Sequence, residues 1–205
     1  MKGKPGIGWV AAIAFVLATS ASVGPASAQE PATAGSAGGL MSRPFYVGLG
    51  VGGVFNLEGV GSAFRLEEDV GYRVWSFGDH PGLFVGGLFN QAFRSGWTGI
   101  DLDARIGVDF NVYDWGSGAL IITPGLATGV TLLVAKTTVV DPWTGGTTSS
   151  TSTTALFNMI FTGQIGVALV DGLLLIWFRP IGIEVLAKDG ATANWDLNAG
   201  VLFNF

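Results

Sequence analysis

The sequence contains no cysteine. That absence excludes disulfides, thiolate metal sites, cysteine nucleophiles and a lipidated cysteine anchor. Histidine is nearly absent too: His80 is alone, so a Ser-His-Asp triad or a histidine metal site would have to be built on it. It lies in a turn, residues 76–81 (SFGDHP), where no triad partners can be placed beside it. Charge is sparse, at 12% of residues, with 10 Lys and Arg against 15 Asp and Glu. A formal charge of -5 leaves no broad basic surface, which excludes a nucleic-acid partner. No catalytic residue, cofactor or metal is expected, and the chain reads as a non-enzyme.

Long apolar runs are equally scarce. The one near the N-terminus, residues 7–18 (IGWVAAIAFVLA), follows Lys2 and Lys4 and precedes an A-x-A site at Ala26, Ser27 and Ala28. It falls short of the roughly 20 residues that span a bilayer, and its flanks are those of a secretory signal peptide. Residues 1–28 are therefore expected to be removed, making Gln29 the first mature residue. Loss of Lys2 and Lys4 takes the formal charge from -5 to -7. Residues 29–42 are small and Gly/Ala-rich and read as a flexible lead-in. Residues 43–205 are expected to form one domain.

What the chain does have is alternation. Hydrophobic residues make up 49% of it, yet no mature stretch is a helix-length apolar run, and 33 glycines argue against a helical bundle. The last stretch, residues 191–205 (ATANWDLNAGVLFNF), sets Trp195, Leu197, Ala199, Val201, Phe203 and Phe205 on one row. Asn194, Asp196, Asn198, Gly200 and Asn204 form the opposite row, with Leu202 the one apolar intruder. A period of two with different chemistry on each face is the mark of a strand between two solvents. Residues 98–112 repeat it, with Ile100, Leu102, Ala104, Ile106, Val108 and Phe110 against Asp101, Asp103, Arg105 and Asp109. Such rows exceed the usual soluble strand of about 5–6 residues.

Eight alternating segments can be counted, near residues 45–55, 63–75, 83–93, 98–112, 119–134, 156–169, 173–186 and 191–205. The third is apolar on both faces and has no clear phase. In the seventh, Leu173, Leu175, Trp177, Ile181, Ile183 and Val185 are assigned outward and Glu184 inward. Arg179 breaks that phase beside Pro180, which cannot donate to a ladder, so a bulge that swings Arg179 off the lipid face is expected there. The sum is an all-β chain: an eight-stranded, antiparallel, up-and-down transmembrane barrel. Its main rival, a soluble lipocalin-like barrel, would have an apolar interior and polar exterior, the inverse of the fourth and eighth segments.

With its alternating strands, signal peptide and terminal aromatic, the chain resembles the small Gram-negative outer-membrane barrels of the OmpA/OmpX/OmpW-like superfamily. That resemblance implies residence in the outer membrane, contact with its lipid and lipopolysaccharide, and recognition of Phe203 and Phe205 by the barrel-assembly machinery. It extends over about residues 45–205 and carries no expectation of a peptidoglycan-binding domain after Phe205. Short periplasmic turns and longer outer loops then set the orientation. The longest connection, residues 136–154, falls on the outer side, and its Ser/Thr/Gly content predicts a mobile loop presenting Asp141, Trp143 and Thr144 to an extracellular ligand. Aromatics gather at two rims: Tyr72, Trp75, Tyr113, Trp115, Phe203 and Phe205, and Phe55, Phe64, Phe93, Trp97 and Trp195.

The inward row holds Arg65, Glu67, Asp69, Arg73, Asp101, Asp103, Arg105, Asp109, Glu184 and Asp196, seven carboxylates against three arginines. An eight-stranded barrel is just wide enough for side chains to fill, so these groups can pair across the lumen and plug it. The acidic surplus also fits a narrow thread passing small cations. A third arrangement would line a pocket for small hydrophobic molecules with Leu174, Ile176, Phe178, Leu202 and the third segment.

Overall fold

The computed structural model describes residues 39–57, 61–77, 80–140, 143, 145–188 and 190–205. The expected signal peptide, residues 1–28, and most of the lead-in lie outside these. Eight strands run β1 (Phe45–Asn56), β2 (Ser62–Phe77), β3 (His80–Arg94), β4 (Trp97–Asp114), β5 (Ala119–Val140), β6 (Thr147–Leu169), β7 (Leu174–Ala187) and β8 (Ala191–Asn204). Each pairs antiparallel with its sequence neighbours, and β8 closes on β1, giving a closed eight-stranded barrel. Closure leaves the apolar closing strand without a free edge, which is why so greasy a strand can end the sheet.

The burial of each strand follows its alternation. On β4, Asp101, Asp103, Arg105 and Asp109 point into the lumen while Leu102, Ile106 and Phe110 face outward at 57%, 46% and 41% exposure. A polar interior beneath an apolar exterior needs lipid outside, so the lipocalin-like inversion does not apply. The unphased third segment resolves: Phe84, Leu88, Asn90 and Ala92 point inward, and Val85 outward. The two aromatic rims are present, with Phe45 against Phe205 at 6.2 Å between ring centroids at the end holding the strand termini, and Phe55 against Trp195 at 5.6 Å at the opposite end.

Three expectations need correction. The first concerns β7: Leu175 and Trp177, assigned outward, are buried at 1% and 3%, whereas Ile176 and Phe178 are exposed at 46% each. Arg179 does not break the phase; it continues the inward row of Leu175 and Trp177. The register shifts beside it, between Arg179 and Ile183 against β8, and Gly182 and Glu184 then resume the inward row. Pro180 has no N–H to give, and its carbonyl accepts a hydrogen bond from Trp195 Nε1 at 3.1 Å. The bulge is where it was expected and Arg179 is off the lipid face as expected, but by ordinary alternation with Leu175 and Trp177 and not through the bulge, which follows it. The proposed apolar pocket fails with it, because Leu174, Ile176 and Phe178 belong to the outward row and Leu202 packs inside.

The second concerns the long connection. Strands β5 and β6 stay paired from Lys136↔Thr151 to Val140↔Thr147, past the last pairing of β5 with β4 at Ala135. Most of residues 136–154 is thus a two-stranded ribbon, standing about 17 Å beyond the barrel wall at about 3.3 Å per residue. The third concerns the lead-in, whose last residues are ordered. Leu40–Ser42 form a turn of 3-10 helix, and Leu40 is fully buried.

The luminal charge ladder as candidate functional site

From the ribbon end downward, the lumen is crossed by successive side-chain contacts. At the top, Asn56 Nδ2 donates to Asn194 Oδ1 at 3.0 Å and Asn194 Nδ2 to Glu184 Oε2 at 2.9 Å. Arg65, on β2, reaches three carboxylates on three other strands: Glu184 at 2.8 Å, Asp101 at 3.1 Å and Asp196 at 3.2 Å. Below it Arg179 grips Glu67 with both terminal nitrogens, at 2.6 and 2.7 Å, and touches Asp196 at 3.4 Å. Asn198 donates a further bond to the same Glu67 oxygen, at 2.9 Å. Next, Arg105 pairs with Asp69 and donates to Gln164 at 3.3 Å. Lowest, Arg73 bonds Asp109 at 2.9 Å and Asn204 at 2.8 Å, and the Thr123 hydroxyl donates to Asp109 at 2.6 Å.

All four guanidinium groups are buried within the barrel. Three lie over aromatic faces: Arg73 over Tyr46, Arg105 over Phe84 and Arg179 over Trp177, each 5.1–5.2 Å from the ring centre. A flat, weakly hydrated cation that can stack and fork at once is the group for this task, and lysine could not replace it. Space for the aromatic shelf comes from the glycines of β1. A Cβ on Gly50 would sit 2.7 Å from the Trp177 ring. At the terminal end the lumen closes on an apolar cluster that includes Leu40, Tyr46, Phe84, Ile121, Leu175 and Leu202. At the ribbon end it opens into a cavity of 580 Å³ with walls such as Val54, Leu133, Leu156 and Leu186, Arg94 and Lys188 on its lining, and Asn56 and Asn194 among its polar groups.

All ten expected lumen charges therefore lie inside, together with an eleventh, Arg179, that the alternation had hidden. Phe203 and Phe205 stand on the outer surface at the terminal rim, 47% and 60% exposed. Trp143 is 94% exposed at the tip of the ribbon, while Asp141 and Thr144 fall outside the described residues. His80 opens β3 at the terminal end, paired with Phe77. Among the described residues no group of three or more His, Asp or Glu side chains is arranged to hold a metal.

Comparison with solved structures bears on the architecture. Neisserial surface protein A (NspA) matches with a TM-score of 0.50 at 17% identity, over 78% of this chain and 97% of that one. The fold is that of the small outer-membrane β-barrels. Two further barrels align over the same share of this chain: the N-terminal domain of Pseudomonas aeruginosa OprF, at 13% identity, 97% of that chain and TM-score 0.44, and Ail of Yersinia pestis, at 14%, 97% and 0.34. No protein-family model matches the sequence, and no curated protein does. For this outer-membrane-type barrel the similarity describes the fold; the ladder must be read from its own residues.

Proposed function

We propose that the chain is a non-enzymatic barrel of the Gram-negative outer membrane, with a side-chain-filled lumen and a structural or surface-contact role. The observation that carries this reading is the ladder: four arginines, each tied to carboxylates on other strands, stacked along the barrel axis. An unpaired charge in so confined a space would cost several kcal/mol, whereas cross-strand pairs both satisfy the charges and obstruct the bore. In this reading both termini face the periplasm, Phe203 and Phe205 are read by the barrel-assembly machinery, and lipid and lipopolysaccharide surround the wall. The ribbon ending at Trp143 is the contact surface for an extracellular ligand.

The absence of cysteine makes the test clean, because a single introduced thiol is the only one in the chain. Trp143→Cys should be labelled on intact cells by a membrane-impermeant maleimide, and Asp171→Cys, in the β6–β7 turn, only after the outer membrane is opened. Labelling of Asp171→Cys alone on intact cells would reverse the orientation. Labelling of neither until lysis would remove the barrel from the outer membrane.

A further inference from the structure

Charge is distributed unevenly along the ladder. In the lower half, Arg105 offsets Asp69 and Arg73 offsets Asp109. The upper half sets Glu67, Asp101, Asp103, Glu184 and Asp196 against Arg65 and Arg179 alone. The whole luminal surplus of three negative charges lies in that belt. Arg94 and Lys188 sit above it on the mouth cavity and are solvent-exposed.

The side of the belt away from the arginines also has an unmet polar side chain. Neither polar atom of the Asn90 amide has a hydrogen-bond partner, and on this side the neutral Asn158 amide faces Asp103 and the Thr131 hydroxyl faces Asp101. Asn90 and Asn158 are completely buried, Thr131 is 2% exposed and Asp103 7%. The register makes them neighbours: Asn90, Asp101 and Thr131 are consecutive partners across β3, β4 and β5, and Asp103, Gly129 and Asn158 across β4, β5 and β6. All point inward. Gly129 leaves the space between Asp103 and Asn158 open, since a Cβ there would come 2.5 Å from Asp103 Oδ1. A completely buried amide with no partner is costly and rare, and Asn90 stands beside the belt where negative charge is in excess.

We propose that this belt binds one divalent cation of the calcium class, held by Asp103 and Asp101 with the amide oxygens of Asn90 and Asn158 and the Thr131 hydroxyl. Every donor is oxygen, which selects a hard ion. Two carboxylates match a double charge. Neutral amide and hydroxyl ligands in an irregular cage suit Ca²⁺, whereas Mg²⁺ demands near-ideal octahedral geometry and gives up water reluctantly. Water could satisfy the amides but could not reduce the surplus. The ion would enter from the mouth cavity, past Asn56 and Asn194. The proposal concerns a bound ion and holds whether or not the lumen conducts.

The test is isothermal titration of CaCl₂ into the full chain refolded in an uncharged detergent, with the unfolding midpoint followed by heat-modifiable gel mobility. One Ca²⁺ per chain is expected, with a midpoint several degrees higher in Ca²⁺ than in EDTA and a smaller rise in Mg²⁺. Asp103→Asn should weaken binding at least tenfold and Thr131→Val several-fold, while Asp171→Asn, in an exposed turn, should leave it unchanged. No calcium uptake at millimolar concentration would overturn the site, as would equal weakening by Asp103→Asn and Asp171→Asn. A parent whose midpoint follows pH and ignores calcium would assign the surplus to a proton and equally overturn it. Should Asp103→Asn fail to fold, the parent stoichiometry and Thr131→Val still decide.

Discussion

At the scale of single residues the decisive group is Arg179. It joins Glu67 through a two-pronged contact, shares Asp196 with Arg65, and lies over Trp177. Its removal would leave Glu67 with one neutral donor and Asp196 dependent on Arg65. Breaking a buried pair by deleting one partner typically costs about 3–5 kcal/mol. Arg179→Ala should lower the barrel's unfolding free energy by that amount in urea titrations, and Arg179→Lys should recover only part of it, because lysine cannot make the fork. A loss under about 1 kcal/mol in Arg179→Ala would mean the ladder is not a stabilising network. This residue was also the least legible. The charges of β2 and β4 alternate with apolar neighbours and declare their face, whereas Leu173 to Phe178 are apolar on both faces and carry no phase. The bulge at Pro180 then shifted the frame by which Arg179 was judged. Glu68 occupies the outward row of β2, between Leu49 and Phe89, where alternation does not lead one to expect a carboxylate.

Among elements, strands were readable where their two faces meet different surroundings and unreadable where they do not. The ribbon of β5 and β6 has solvent on both sides, so its Thr and Ser residues show no apolar row and read as a loop. The β-branched threonine and valine side chains of the ribbon nonetheless favour paired strand, and the pairing simply continues outward from the barrel. The 3-10 turn at Leu40–Ser42 went unseen because one leucine in a Gly/Ala-rich stretch makes no pattern. In the folded chain Leu40 is completely buried and belongs to the apolar cluster that closes the terminal end. Leu40→Ala should therefore cost about 2–5 kcal/mol, the usual range for truncating a buried leucine. Urea unfolding beside Met41→Ala, which alters the next residue of the same turn, checks this. Equal effects of the two substitutions would show that the turn contributes only as a tether.

For the whole molecule, closure and strand number followed from composition: abundant alternation, no helix-length apolar run, and a greasy last strand that requires a partner. The inward placement of charge followed as well, since the rows of β2, β4 and β8 had unambiguous polar faces. How those charges pair was not legible, because each contact joins strands far apart in sequence. Arg65 alone bridges β2 to β4, β7 and β8. Arginine–carboxylate pairs along the axis and an apolar cluster at the terminal end give the barrel a core of two kinds, polar towards the ribbon and apolar at the other end.

Single-channel recording in a planar bilayer tests that account most directly, with the folded parent beside an Arg65→Ala/Arg179→Ala double variant. The ladder predicts a silent parent, shown to be folded by heat-modifiable mobility. It predicts that the variant stays silent as well, because the Arg105–Asp69 and Arg73–Asp109 rungs and the apolar cluster at the terminal end remain, while its unfolding moves to lower urea. Regular conductance steps in the parent, unchanged in the variant, would contradict it and make the lumen a pore.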